Sequence, residues 1–390
     1  MLNFEYFNPT RIVFGRGTIG ELNRLVPASA RVLLIYGGGS IKQNGVYKQV
    51  REALGGRTVS EFPGIRPNPT WEQCMEAVSL ARRERSDFLL AVGGGSTLDA
   101  AKFISVAIPY TGGDPWIFLE QRGRVMPEEA LPLGTVLTLP ATGSEMNPIA
   151  VISREADKEK RGFVSEKMQP LFSILDPEAT FSLPPRQVRN GVVDAYIHTL
   201  EQYMTYPADA PLQDRLAESV LQTLREVGPR TLAEPTHYEA RATFMWCATW
   251  ALNRSLGCGV PQDWATHMIG HELTALYGVD HAESLALVLP ALWTIQREKK
   301  QAKLAQYARR VFGVEIADDA QAADRAISLT VDFFQSLGMP TRPSAHGIDG
   351  KEAAAEIERR FARRGVVWGE HQDLTPARVA EVLLRSEECS

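Results

Sequence analysis

Phe88-Leu89-Leu90-Ala91-Val92-Gly93-Gly94-Gly95-Ser96-Thr97-Leu98-Asp99 is a five-residue apolar run that breaks into three glycines and then into a serine-led segment of helical character. A parallel strand covered by helices on both faces reads as a continuous apolar run rather than an alternation. The same grammar recurs upstream, where Arg31–Tyr36 runs into Gly37-Gly38-Gly39-Ser40. It recurs downstream, where Thr135–Leu139 runs into Pro140-Ala141-Thr142-Gly143-Ser144-Glu145-Met146-Asn147. Short apolar runs alternating with helical stretches predict an α/β fold, a parallel sheet with helices on its faces.

After Ser182-Leu183-Pro184-Pro185 the texture changes to long stretches rich in Ala, Leu, Glu, Arg and Gln with 3.6-residue periodicity, so the second half is expected to be all-helical. The two prolines mark the boundary, because the residue before a proline leaves the helical region while a proline is tolerated at the first helical position. Residues 1–182 and 183–390 are the expected domains. A chain of 390 residues, 44% hydrophobic and 23% charged, supports more than one core. A net charge of -5 argues against nucleic acid as the main partner. Arg82, Arg83 and Arg85, and Arg359, Arg360, Arg363 and Arg364 before Gly365, read as solvated helix faces. Cys74, Cys247, Cys258 and Cys389 form no C-x-x-C pair and are too sparse to staple the chain, as in a reducing compartment. Neither a secretory leader pattern nor an apolar run of membrane-spanning length is present, which predicts a cytoplasmic location.

Both Gly-Gly-Gly-Ser segments follow a strand. At the second, Ser96 is expected to cap a helix starting at Thr97, whose bare N–H groups point at an anion, so this segment is the expected pyrophosphate site. The plain alternative is a pair of tight turns that need glycine for positive φ. At the first, Gly38, Gly39 and Ser40 stand where NAD-selective sites place a carboxylate for the ribose 2′-hydroxyl. With Lys42 close by, they suit a 2′-phosphate, which predicts NADP(H). Neither segment has the G-x-G-x-x-G spacing. The polar turn at 139–147 is placed to hold a nicotinamide.

In the helical half Asp194 and His198 lie four apart, hence on one face of a helix. His267 and His271 lie four apart on a second, and His281 follows the break at Gly278. Taken singly, each is an ordinary helix residue, but four of the seven histidines fall here. Asp194, His198, His267 and His281 are the expected ligands of one divalent metal, with His271 beside it as a non-ligand. Three imidazoles and a carboxylate accept zinc, ferrous iron, nickel or manganese, zinc and iron first. Position 275 is Ala where a zincin carries its second histidine.

Asn8–Gly15, Gly37–Ser40, Pro67-Asn68-Pro69, Gly93–Asp99, Leu137–Asn147, Leu183–His198, Val260–His271 and Gly278–Pro290 together resemble the iron-containing (group III) alcohol dehydrogenases, in particular their NADPH-dependent branch of butanol dehydrogenases and broad-specificity aldehyde reductases. The resemblance runs nearly end to end. It implies a Rossmann-like dinucleotide domain, a helical domain, and cofactor and metal in the cleft between them. It implies that Gly38, Gly39 and Ser40 meet the 2′-phosphate, that Gly94, Gly95 and Ser96 meet the pyrophosphate, and that Asn68, Asp99, Thr138, Thr142, Asn147 and Lys160 complete the cofactor shell. His271 matches the family's proton-transfer histidine, and a ribose–water relay is the alternative donor. Ala179 stands where close relatives carry an aromatic, and Ala282 where the wider family often has Gly. The implied reaction is metal-assisted hydride transfer between NADPH and short to medium aldehydes, and the implied assembly a homodimer or larger homo-oligomer. Trp264, Met268 and Leu252 suit uncharged substrates. The rivals are a sugar-phosphate lyase or glycerol-phosphate dehydrogenase, which calls for basic residues around the metal, and a non-catalytic NADPH- or metal-binding protein.

Overall fold

The strands are β1 (Arg11–Phe14), β2 (Arg31–Tyr36), β3 (Thr58–Phe62), β4 (Phe88–Gly94), β5 (Leu133–Leu139), β6 (Ile149–Arg154), β7 (Glu159–Val164) and β8 (Phe172–Leu175). The computed structural model describes residues 1–121 and 124–388, so Cys389 lies outside the described residues. Six of the strands form a parallel sheet in the order β1-β8-β5-β4-β2-β3. The crossovers contain α1 (Val46–Leu54), α2 (Trp71–Glu84) and α3 (Gly95–Ala107). Successive residues of the central strands face opposite sides. Val32, Leu34, Leu90 and Val92 pack with Val46, Val50 and Leu54 of α1, whereas Leu33, Ile35, Leu89 and Ala91 pack with Ala77, Val78 and Leu98 of α2 and α3. Each Val, Leu or Ile among them, fully buried, contributes ~1.5–3 kcal/mol. Two-sided burial is the reason these strands read as unbroken apolar runs.

β6 and β7 form an antiparallel hairpin apart from the main sheet. The helices that follow are α4 (Pro185–Tyr203), α5 (Pro211–Ala233), α6 (Tyr238–Ala251), α7 (Ala265–Tyr277), α8 (His281–Ile295), α9 (Arg297–Phe312), α10 (Asp319–Ser336), α11 (Gly350–Arg364) and α12 (Pro376–Arg385).

The chain forms two units. One comprises Phe7–Pro184 and Glu234–Asn253, the other Met1–Tyr6, Pro185–Ala233 and the chain from Arg254 onward. Two segments, Met1–Tyr6 and Glu234–Asn253, thus group with the unit formed mainly by the other half of the chain. α6 belongs with the sheet because Met245 joins the core cluster there and Thr249 Oγ1 donates to Glu145 Oε1 at 2.5 Å. The first residues belong with the helices, where the Leu2 N–H donates to the Gly259 carbonyl at 2.8 Å.

The solvated reading of the second arginine group holds for Arg359 and Arg363 but not for Arg360 and Arg364. These two turn inward onto the buried carboxylate of Glu272 on α7, Arg360 Nε at 2.6 Å. Arg82 in the first group lies at the surface and donates to the carbonyls of Ala107, Ile108 and Tyr110, closing the end of α3. Among the described residues Cys74, Cys247 and Cys258 are free thiols, and no helix is long and apolar enough to cross a membrane.

Candidate metal and cofactor sites

α4 presents Asp194 and His198 one turn apart, α7 presents His267, and His281 is the first residue of α8. One donor atom from each of the four lies within 4.8 Å of the others. Asp194, His198 and His267 are at most 4% exposed. Asp194 Oδ2 is 3.6 Å from His198 Nδ1 and Oδ1 is 3.7 Å from His281 Nε2. Ligands ~2.1 Å from a tetrahedral cation stand about 3.4 Å apart, so these spacings suit donors turned toward one centre. His198 Nδ1 is buried and makes no hydrogen bond, as a donor atom reserved for a cation does. The donor set and its geometry fit a divalent metal.

Close packing places the third histidine helix. A Cβ on Gly270 in α7 would lie 2.8 Å from Leu285 Cδ2 and 3.0 Å from Ser284 Oγ, so the glycine lets α8 approach despite costing ~1 kcal/mol of helix propensity. Arg189 Nη2 reaches Glu283 Oε1 at 2.6 Å, Arg186 Nη2 reaches Asp280 Oδ2 at 2.8 Å, and Asn190 Nδ2 donates to Asp280 Oδ2 at 2.9 Å. These contacts pin the start of α8 to α4 and so set His281 against Asp194. His271 lies one turn beyond His267, 7% exposed, with its ring centroid 5.2 Å from that of His281.

In the sheet unit, β2 and β4 are neighbours, with β3 outside β2 on one side and β5 outside β4 on the other. The order in which successive strands are added reverses between these two parallel strands, which is where open α/β sheets bind ligands. Gly37–Ser40 and Gly93–Ser96 leave the carboxyl ends of these two adjacent strands. The glycines of the second cluster serve close approach, not positive φ. A Cβ would fall 2.5 Å from Thr97 Oγ1 at Gly93, 2.9 Å from Leu139 Cβ at Gly94, and 2.4 Å from Thr142 Oγ1 at Gly95. In the first cluster Gly39 does need its positive φ of 101°.

Two family models match the chain, "Iron-containing alcohol dehydrogenase" over residues 9–177 and "Fe-containing alcohol dehydrogenase family, C-terminal" over 189–385. The chain belongs to the iron-containing alcohol dehydrogenase family. It is therefore an oxidoreductase. The NADPH-dependent aldehyde reductase YqhD of Escherichia coli K12 is 53% identical over 376 residues, covering 96% of this chain and 97% of that protein. A crystal structure of E. coli K-12 YqhD superposes with a TM-score of 0.97 over 99% of each chain, at 50% identity. The probable NADH-dependent butanol dehydrogenase 1 of Bacillus subtilis is 40% identical over 391 residues, 99% of this chain and 100% of that one.

Within this family frame several residue roles shift. Ser96 does not cap α3. The helix starts two residues earlier, at Gly95 with Gly94 as its N-cap, and Ser96 Oγ instead accepts the Asn68 N–H at 3.3 Å. Asn68 holds a left-handed φ of 55° and its Oδ1 accepts from Lys160 Nζ at 2.8 Å, so Asn68, Ser96 and Lys160 are brought together. The Asp99 carboxylate accepts from Ser144 Oγ at 2.5 Å and the Val151 N–H at 3.1 Å, and burial pushes its pKa up. Thr138 is 8% exposed and Thr142 half-buried. Asn147 is 1% exposed and its amide is fully engaged. It donates to the Thr142 and Leu252 carbonyls and accepts from Lys102 Nζ and the Ile149 N–H, so it braces the 139–147 loop from within. Ala179 is buried in the core behind the sheet, and Ala282 in the first turn of α8.

Sequence reasoning missed Glu61, Lys102 and Glu201. Glu61, at the end of β3, accepts from Tyr47 Oη at 2.6 Å and Tyr36 Oη at 2.8 Å, with Lys42 stacked over both rings. Burial raises its pKa, but the two hydroxyls and the charges of Lys42 and Arg51 outweigh burial and hold it below the usual range. Burial lowers Lys102 to about 8. Glu201, 4% exposed on α4, accepts the His267 backbone N–H at 3.1 Å and lies 3.0 Å from the His267 ring Nδ1; burial, then the charge of Asp263, push its pKa well up. Its spacing of three from His198 and seven from Asp194 was the available signal.

Proposed function

We propose that this chain is an NADP(H)-dependent, metal-dependent aldehyde reductase that interconverts short to medium aldehydes and primary alcohols, with Asp194, His198, His267 and His281 as the metal ligands. The convergence of these four donors, three of them buried, within 4.8 Å carries the reading. A divalent cation held there supplies a Lewis acid for the aldehyde oxygen, and NADPH supplies the hydride. Asp194 contributes the one negative charge among the four donors and so offsets half the charge of a divalent cation. The N–H groups at the start of α3 receive the pyrophosphate, with Gly94, Gly95 and Ser96 giving room for the approach. Gly38, Gly39 and Ser40 receive the 2′-phosphate, and Asn68, Asp99, Thr138, Thr142, Asn147 and Lys160 complete or support the shell. His271 holds the proton that reaches the product oxygen, directly or through a ribose–water relay.

The phosphate-substrate rivals call for unpaired cations around the metal. On the three helices that carry the cluster, the Lys and Arg residues are Arg186 and Arg189, both paired with carboxylates. The proposal includes residues 1–182 as the main cofactor-binding part and 183–390 as the main metal-binding part, homodimeric or larger assembly, and a cytoplasmic location.

The test is NADPH oxidation with butanal, using metal-stripped protein before and after return of zinc or ferrous iron. Activity only after metal return is expected. Equal activity in stripped protein removes the metal from the mechanism, and tight NADPH binding with no aldehyde turnover when loaded points to the binding-protein rival.

A further inference from the structure

We infer that Glu201 is a positioning residue that presets His267 for the metal, holding its imidazole in the Nδ1–H tautomer so that Nε2 keeps its lone pair for the cation. The inference rests on the ligand set proposed above. α4 carries Asp194, His198 and Glu201 at spacings of four and three, so one helix supplies two ligands and the carboxylate that orients a third on α7. Glu201 Oε1 faces two nitrogens of one residue, the His267 backbone N–H at 3.1 Å and ring Nδ1 at 3.0 Å. A backbone N–H only donates, so Oε1 is an acceptor wherever any carboxyl proton sits on the other oxygen, and the ring atom facing it is the donor. A neutral imidazole that donates from Nδ1 has its lone pair on Nε2.

The backbone at Glu201 is held from behind. The Asp263 N–H donates to the Glu201 carbonyl at 2.9 Å, and Asp263 Oδ1 accepts the Ala265 N–H at 3.0 Å at the start of α7. Asp263 Oδ2 accepts from Lys300 Nζ at 3.0 Å, and that ammonium also binds the Met204 carbonyl at 2.7 Å and Glu370 Oε1 at 2.8 Å. The N-terminus of α7 is thus tied to α4 on the side away from the ligands. The ring of His267 has little freedom to turn.

Nitrogen-15 NMR of metal-stripped protein labelled at the histidine rings tests this, with His267→Gln identifying the signal. The wild-type ring is expected as Nδ1–H. In Glu201→Ala the ring equilibrates between tautomers, and the zinc Kd from chelator competition rises ~10–100-fold. Glu201→Gln, whose amide oxygen still accepts, restores the tautomer and part of the affinity. An Nε2–H ring in the wild type overturns the inference without any Glu201 variant, so a misfolded Glu201→Ala does not shield it. Wild-type zinc affinity in a folded Glu201→Ala also overturns it. Failure of the ligand set looks different: His267→Ala would then bind zinc as tightly as the wild type, while the tautomer result stands by itself.

Discussion

Replacing Glu272 by Met should destabilise the helical unit by about 4 kcal/mol. The carboxylate is 4% exposed and is shared by Arg360, whose side chain is 6% exposed, and Arg364, at 15%. Removing one partner of a buried ion pair costs roughly 3–5 kcal/mol, because a charge is left without compensation in a poorly solvated place. Here two guanidiniums are stranded side by side, which adds repulsion, although the more exposed Arg364 is able to swing toward water, so the middle of that range applies. At roughly 2–4 °C per kcal/mol for a unit of this size, Tm should fall by about 8–16 °C. The assay is thermal and urea unfolding in chelator, so that metal linkage does not enter. The triple variant Glu272→Met, Arg360→Met, Arg364→Met removes all three charges and should recover most of the loss. A fall below about 1 kcal/mol in the single variant, or a triple variant no more stable than the single, refutes the reasoning.

His267→Ala should lose metal and turnover together, whereas His271→Asn should keep one equivalent of metal and lose ~10²–10⁴-fold in turnover; metal analysis beside steady-state kinetics decides both. Ser40→Asp places a carboxylate where the 2′-phosphate is proposed to sit, and should lower kcat/KM for NADPH at least about tenfold while leaving NADH less affected; equal effects on the two cofactors refute the assignment. Burial, with the Asp263 carboxylate beside it, pushes Glu370 up to about 7. A carboxyl raised on folding contributes stability that is full below its unfolded pKa near 4.5 and is lost as pH rises through its folded pKa. Urea unfolding from pH 4.5 to 7.5 should therefore show a loss of about 1–3 kcal/mol from this group that is missing in Glu370→Gln.

The features legible in the sequence are those whose cause is local. Strand β2 is readable at both ends because two-sided burial forces an unbroken apolar run closed by glycine, and the pairs Asp194/His198 of α4 and His267/His271 of α7 because a helix puts i and i+4 on one face. Features set by a distant partner are not legible in this way. Arg359 and Arg360 sit next to each other in one helix, yet the first pairs with Glu356 on the surface while Arg360, like Arg364, meets Glu272 on another helix. Nothing in Glu-Arg-Arg-Phe-Ala-Arg-Arg distinguishes the two faces until α7 is packed against them. α6 is as helical in composition as its neighbours, and it is assigned by the partners that residues such as Met245, Trp246 and Thr249 find in the sheet unit. The misplaced start of α3 has the same origin. Glycine at 93–95 reads locally as conformational freedom, whereas Thr97, Leu139 and Thr142 occupy the space of a Cβ at those positions, and two of those three lie beyond the helix, on or just after β5. Glu201 marks the boundary between the two kinds of signal. Its spacing from Asp194 and His198 puts it on their helix face, but its role depends on where the ring of His267, sixty-six residues further on, comes to rest. The proposed ligands of such a site are readable from the periodicity of each helix, and the residues placed to orient them become readable only once the helices are packed together.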